Sequence, residues 1–214
     1  MYIDDVKQET VVSAYTFSTT GEHTVKCIMN DDFNNCYSMF SSCDRLTSLD
    51  LSNFSTSNAL TMTEIFYGCS NLTSLYLSNF STSNVTDMRY MFYDCKSLTS
   101  VTFGNNFDTS NVTNMKSMFY GCTNLTSLDL SNFNTSNVTS MYSMFQTCSG
   151  LTSVTFGSQA DVSKVTDYSY MFRYITTTGT LYYPSAYADA WNNIIVTNQS
   201  KSNFPSTWNA QPIQ

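Results

Sequence analysis

The sequence predicts an α/β solenoid, a right-handed stack of about five 26-residue coils that each contain one strand and one helix. Two observations lead to this fold class. The phrase Leu-Thr-Ser-Leu/Val begins at positions 46, 72, 98, 125 and 151, so the steps are 26, 26, 27 and 26 residues. Apolar residues alternate in one half of each period and recur every three or four residues in the other half. Internal repeats of this length are typical of solenoids.

Two ladders of apolar residues keep the same period. The long step has a local cause, because residues 101–107 contain one residue more than the matching residues 75–80. A single unit cannot bury its own apolar face, so we expect neighbouring units to stack and share one core. The ladder residues are Phe40, Phe66, Phe92, Phe119, Phe145 and Phe172, with Cys43, Cys69, Cys95, Cys122 and Cys148.

The strand half of the repeat is clearest after Leu72. Leu75 and Leu77 alternate with polar neighbours, which is the periodicity of a half-buried strand. We therefore expect both leucines to face the core, together with Leu49, Leu51, Leu128 and Leu130.

The second half of the repeat has a helical spacing. Apolar residues at positions 85, 88, 91, 92 and 95 predict a helix of two to three turns with one buried face. Thr86 is the predicted N-cap, and Gly68 and Gly121 are predicted to end helices in a left-handed conformation. Strands stack at about 4.8 Å and helices at about 8–10 Å. We therefore expect a curved stack with the strands on its inner side.

Residues 1–214 are predicted to form one domain with two non-repeating ends. We expect an N-terminal β cap over residues 1–33, repeats over 34–176 and a mixed C-terminal cap over 177–214. Segments 11–17 and 23–29 predict a hairpin in the first cap. In the second cap we expect a strand over 179–183 and a closing helix over about 185–197.

The repeat unit resembles the BspA-type leucine-rich-repeat family of bacterial surface proteins. The resemblance rests on Asn-Leu-Thr-Ser-Leu-Asp-Leu-Ser-Asn-Phe-Asn-Thr-Ser-Asn-Val-Thr-Ser-Met at residues 124–141, followed by Ser143-Met-Phe145 and Cys148. It covers roughly residues 36–175 and recurs five times. It implies a leucine-rich-repeat-like fold and a role in adhesion or surface display, with no chemistry attached.

Composition excludes several function classes. The chain has 16 acidic and 9 basic residues and a net charge of −7, which argues against nucleic acid because phosphate contacts need clustered Lys and Arg. No apolar run approaches the roughly 20 residues of a membrane span. His23 is the only histidine, so multi-histidine metal sites are excluded. No signal peptide is predicted at the N-terminus.

Residues with chemical potential point to structure more than to catalysis. The 7 cysteines form no Cys-x-x-Cys pair, and we interpret them as buried free thiols instead of disulfides or zinc ligands. Asp31 and Asp32 are interpreted as solvated loop acids, not as a calcium site. The Asn-x-Ser/Thr sequons are interpreted as ladder and turn residues, although a eukaryotic secretory route would glycosylate some. No nucleophile elbow is present, so no enzyme is predicted. No cofactor or metal is predicted either.

Two faces of the stack are candidate binding surfaces. The strand face presents Asp50, Tyr76, Thr102, Asp129 and Thr155, with Tyr76 as the predicted anchor. The helix face presents a stripe of Tyr67, Tyr93 and Tyr120, for which mutual packing between coils is the slightly preferred interpretation.

We expect a non-enzymatic module that binds a protein or glycan on a host or cell surface, outside the cell. The alternative is a phage virion component, such as a receptor-binding fibre, which the absent signal peptide slightly favours. The oligomeric state stays open.

Overall fold

The computed structural model describes residues 34–52, 54–197 and 199–214, together with the backbone of three short strands before them. The chain divides into two compact units, Met1–Asp32 and Phe33–Gln214. In the first unit, β1 (Tyr2–Ile3) pairs antiparallel with β2 (Val6–Lys7) and with β3 (Val25–Lys26). The predicted segment 23–29 contains β3, whereas the predicted segment 11–17 lies outside the described residues.

The second unit has parallel strands at the repeat period. The strands are β4 (Ser74–Leu77), β5 (Ser100–Phe103), β6 (Ser127–Leu130), β7 (Ser153–Phe156), β8 (Gly179–Pro184) and β9 (Trp208–Ile213). β4 pairs with β5 in one sheet, and β6, β7, β8 and β9 pair in that order in another. This arrangement is compatible with a repeat-type α/β fold. No strand forms around Leu51, where the sequence predicts one for the first repeat.

The alternation predicted for the strand half is confirmed. Leu75 and Leu77 are buried and Tyr76 between them is exposed. Leu51, Leu128 and Leu130 are buried as well, whereas Leu49 is only partly buried.

The predicted helices of the repeats are wrong. The amide of Ile65 donates to the Met62 carbonyl oxygen at 3.3 Å, and the amide of Cys69 donates to that of Phe66 at 3.2 Å. The third residue of each turn has a positive φ, 60° at Glu64 and 70° at Gly68. A turn closed between its first and fourth residues with a positive φ at the third is a type II turn. Residues 62–69 are therefore two consecutive turns.

Bonds between repeats explain why a helix does not form. The amides of Met62, Glu64, Phe66 and Gly68 donate to carbonyl oxygens 25 residues later, at 2.7–3.0 Å. Every second amide is thus used to hold the next repeat and cannot close a helical turn. The same pair of positive φ angles, four residues apart, recurs in every repeat at 38/42, 64/68, 90/94, 117/121, 143/147 and 170/174.

The predicted N-cap at Thr86 is also wrong, because no helix begins there. The next residue, Asp87, joins a row of single-residue parallel bridges that runs Asn35–Thr61–Asp87–Asn114–Ser140–Asp167. The Asp87 carboxylate accepts the Arg89 amide at 3.0 Å, which opens the turn segment. Backbone hydrogen bonds between neighbouring repeats therefore set the distance between repeats in both halves. The described repeats contain no helices, so the larger distance between helices from which curvature was predicted does not occur in them.

The phenylalanine ladder forms the centre of the core. Consecutive rings from Phe40 to Phe172 stack with centroids 5.1–6.0 Å apart. At the end of the ladder, the rings of Phe204 and Trp208 lie 5.2 and 6.3 Å from Phe172. The ladder is thereby closed by side chains that come from outside the repeats.

The C-terminal part contains the helices of the described chain. A 3-10 helix (Ser185–Tyr187) leads into α1 (Ala188–Asn192), a π-helical turn (Asn193–Thr197) and α2 (Gln199–Ser202). They confirm the predicted closing helix in a less regular form. None of the helices in the described residues is long and apolar enough to span a membrane.

Candidate functional site

The strand face presents most of the predicted row in register. Tyr76 lies opposite Thr102, and Asp129 lies opposite Thr155. Tyr76 is 67% exposed, Thr102 and Asp129 are exposed, and Thr155 is half-buried. Asp50 is exposed but precedes the strands, because its own segment is not a strand.

Two residues of the C-terminal cap extend this row. Tyr182 on β8 lies opposite Thr155, and Gln211 on β9 lies opposite Tyr182. Sequence analysis missed both because the cap does not repeat. The strand row therefore continues beyond the last repeat.

The row is interrupted between β5 and β6, which are not paired with each other. A shallow cavity of about 190 Å³ lies at this seam. The seam coincides with the one 27-residue step of the repeat, where the sequence shows an insertion but not a loss of strand pairing. The cavity is lined by Val101, Thr102, Phe103, Asp129, Ser131, Asn132 and Phe133.

The seam exposes apolar surface that the neighbouring repeats bury. Val101 and Phe103 point inward from β5 but are only half-buried. In the neighbouring strands the matching Leu75, Leu77 and Leu128 are buried. The Phe103 ring packs edge-on against Phe133 at 5.0 Å, so it forms a wall of the cavity. The seam therefore places half-buried apolar side chains beside the exposed Thr102 and Asp129.

The two carboxylates of the row have the same local role. One oxygen of Asp50 accepts the Ser52 amide at 2.9 Å, and one oxygen of Asp129 accepts the Ser131 amide at 2.9 Å. The backbone hydrogen bond from Ser52 lowers the pKa of Asp50 below its usual range. Both carboxylates are therefore held in place by a backbone amide two residues later.

The tyrosine stripe is a stack of rings. Tyr67 and Tyr93 lie 4.8 Å apart with planes 4° from parallel, and Tyr93 and Tyr120 lie 4.5 Å apart at 3°. Burial between its neighbours raises the pKa of Tyr93 to about 12. The ring faces cover one another, so the preferred interpretation of mutual packing is confirmed for these contacts. Both faces of the central Tyr93 ring are thereby covered.

Comparison with protein families decides the assignment. The family model described as "Mycoplasma protein of unknown function, DUF285" matches residues 34–149 and again residues 77–184. Together the two matches span more than two thirds of the chain.

The chain belongs to the DUF285 family.

Both DUF285 matches include residues 77–149, so the seam between β5 and β6 lies inside the family's region. Membership supports the resemblance at the level of a bacterial repeat family of unknown function. Searches of curated proteins and of solved structures give no match.

The cysteines of the DUF285 repeats act as hydrogen-bond donors to the preceding repeat. In four of the six described cysteines, from Cys69 to Cys148, the Sγ donates to the carbonyl oxygen of a ladder phenylalanine, for example from Cys69 to Phe40 at 3.1 Å and from Cys148 to Phe119 at 3.0 Å. Burial raises the pKa of both thiols to about 12. Cys43, the first member of the ladder, is exposed instead of buried. The six described cysteines are free, and no cluster of three potential metal ligands occurs among the described residues.

Several sequon asparagines also join repeats. The side-chain amide of each donates to a backbone carbonyl oxygen of the preceding repeat at 2.6–3.0 Å. The pairs are Asn71 with Asp44, Asn84 with Ser57, and Asn137 with Ser110. Asn79 and Asn111 do the same with Ser52 and Ser83. The ladder interpretation of these five asparagines is therefore confirmed.

Proposed function

We propose that this DUF285 chain is a non-enzymatic binding module of the BspA-type leucine-rich-repeat kind. In this proposal the repeats form a right-handed leucine-rich-repeat-like solenoid of about five coils. The module acts outside the cell or on its surface and holds a protein or glycan presented by a host or another cell. Tyr76 and the seam between β5 and β6 form its main contact surface.

The seam is the observation that carries the proposal. It places a shallow cavity with a mixed apolar and polar lining within a row of exposed side chains, and Thr102 and Asp129 belong to that lining. The four neighbouring strands β4 to β7, at about 4.8 Å from one strand to the next, form a face roughly 15 Å wide. A partner on this face contacts several repeats at once, which is the usual binding geometry of repeat proteins.

Tyr76 supplies the anchor in this proposal. It is the large exposed side chain of β4, the strand beside β5, and exposed tyrosines are frequent energetic anchors of interfaces. Asp129 supplies a fixed charge at the opposite wall of the seam.

The test is an array of glycans and host surface proteins probed with the full chain. Tyr76→Ala and Asp129→Asn should each weaken a hit. Tyr37→Ala should leave it unchanged, because Tyr37 is also exposed, at 55% against 67% for Tyr76, but belongs to the turn segment of the first repeat. A hit that survives Tyr76→Ala and is lost on Tyr93→Ala would place the partner on the turn segments and contradict the proposal.

A further inference from the structure

The turn segments present a second surface that the proposed function does not use. Four tyrosines and two cations form one continuous row along it, which we name the tyrosine–cation band. Neighbouring members lie 4.5–5.8 Å apart, measured between ring centres and cationic groups. The band consists of Tyr90, Lys116, Tyr142, Tyr170, Arg173 and Tyr174.

Both cations of the band are held between two rings. The Lys116 Nζ lies 5.7 Å from the Tyr90 ring centre and 5.0 Å from that of Tyr142. The Arg173 guanidinium lies 5.0 Å from the Tyr170 ring and 4.5 Å from that of Tyr174. These contacts fix the positions of two side chains that are otherwise long and mobile.

Neither cation is neutralised by a carboxylate. Within the described residues, no acidic oxygen lies within 4.0 Å of Lys116 or Arg173, whereas Arg89 pairs with Asp87 at 2.8 Å. The last three turn segments, residues 114–122, 140–148 and 167–175, contain these two cations and one acid, Asp167. An oxygen of Asp167 accepts the Ser169 amide at 3.3 Å. The part of the band around Lys116 and Arg173 therefore carries one more cation than acid, whereas the segment of Tyr90, residues 87–95, adds two acids and one cation.

We propose that the band binds an acidic polysaccharide, a pyranose chain that carries about one carboxylate per disaccharide. Tyrosine rings offer apolar surface to the C–H groups of pyranoses and hydroxyls to their oxygens. Lys116 and Arg173 each bind a carboxylate through charge-assisted hydrogen bonds. The band runs across four repeats, so it fits a linear polymer better than a single sugar. Lys116 and Arg173 lie two repeats apart, about 10 Å at about 4.8 Å per repeat, which matches a sparsely charged chain better than a densely sulfated one.

The test measures binding of a hyaluronan octasaccharide to the full chain at low salt. A neutral chitin oligosaccharide and heparin serve as comparison ligands. Lys116→Gln should weaken hyaluronan binding about tenfold, since it removes one charge-assisted hydrogen bond. Lys164→Gln is the matched control, because it removes the same charge from an exposed side chain whose Nζ donates to Asn137 Oδ1, outside the band.

A second variant tests the tyrosines. Tyr170→Asn should also weaken binding several-fold, and asparagine tolerates the positive φ of 59° at this position. Tyr76→Ala should leave hyaluronan binding intact, which separates this proposal from the strand-face proposal. The band proposal is overturned if the parent does not bind hyaluronan, if heparin binds in its place, if Lys164→Gln is as weak as Lys116→Gln, or if Tyr76→Ala abolishes binding.

Discussion

The indole nitrogen of Trp191 donates to the carbonyl oxygen of Ala160 at 3.0 Å. Four earlier repeats have a phenylalanine at the position of Ala160, and the Trp191 ring lies 4.8 Å from Phe156 in the space beside it. The closing helix α1 therefore supplies the ring that the last repeat lacks. The phenylalanines at the equivalent position of the earlier repeats are Phe54, Phe80, Phe107 and Phe133.

Removing this ring should open the end of the core. Trp191 is fully buried, so Trp191→Ala is expected to lower the free energy of unfolding by about 3–5 kcal/mol. Trp191→Phe keeps most of the packing and leaves the Ala160 oxygen unpaired, so it should cost about 1–3 kcal/mol. Denaturant unfolding measures both values. A cost below about 1 kcal/mol for Trp191→Ala would show that α1 does not close the core.

Adjacent residues of β4 should respond in opposite ways to the same charge. Leu77→Asp is expected to prevent folding, because it buries an unpaired carboxylate at a fully buried position. Tyr76→Asp places the same group on the exposed face and should keep cooperative unfolding. Thermal unfolding followed by circular dichroism compares the two. The predicted alternation is refuted if Leu77→Asp melts near the parent temperature.

The thiol ladder should be chemically silent in the folded chain. Cys69, Cys95, Cys122 and Cys148 are buried free thiols with raised pKa values, so little reactive thiolate forms at neutral pH. A thiol reagent should label the exposed Cys43 quickly and these four only after denaturation. Two or more disulfides among the four in native, non-reducing mass analysis would contradict this.

The buried thiols should make the protein sensitive to alkali. Burial raises the pKa of Cys148 from 9.0 to about 12, so the folded state holds its proton where the unfolded state releases it. Its stabilisation is complete below pH 9 and is lost as the pH rises towards 12. Over this range one fully buried thiol contributes a slope of about 1.4 kcal/mol per pH unit. Urea titrations of the parent and Cys148→Ala measure that slope, and equal slopes in both proteins would disprove the assignment.

The strand half of the repeat could be predicted because its periodicity is unambiguous. Leu75 and Leu77 alternate with the exposed Tyr76. Only a strand places the two leucines on one face and the residue between them on the opposite face. The helix predicted for the turn half is wrong because two consecutive four-residue turns place Met88, Met91 and Phe92 on the core side at nearly the spacing of a helix. Glycine marks the left-handed positions only at Gly68 and Gly121, so most repeats carry no turn signal.

The candidate site was predictable in part for the same reason. Alternation along the strands indicated which side chains face outward, including Tyr76, Thr102 and Asp129. The seam could not be inferred, because the extra residue at the 27-residue step shows an insertion but not that β5 and β6 lose their pairing. The tyrosine–cation band depends on the turn geometry, which places Lys116 between rings from two other repeats.

The central claim is that backbone bonds from the turn segments hold the repeats side by side and so make both exposed surfaces continuous. Phe66 tests it most directly. Its amide donates to the Met91 carbonyl oxygen of the next repeat at 3.0 Å, whereas a helix would direct it to Met62. Nuclear magnetic resonance detects such bonds through scalar couplings between the amide nitrogen and the acceptor carbonyl carbon. A coupling from Phe66 to Met91 is the predicted result, and a coupling from Phe66 to Met62 would contradict the account.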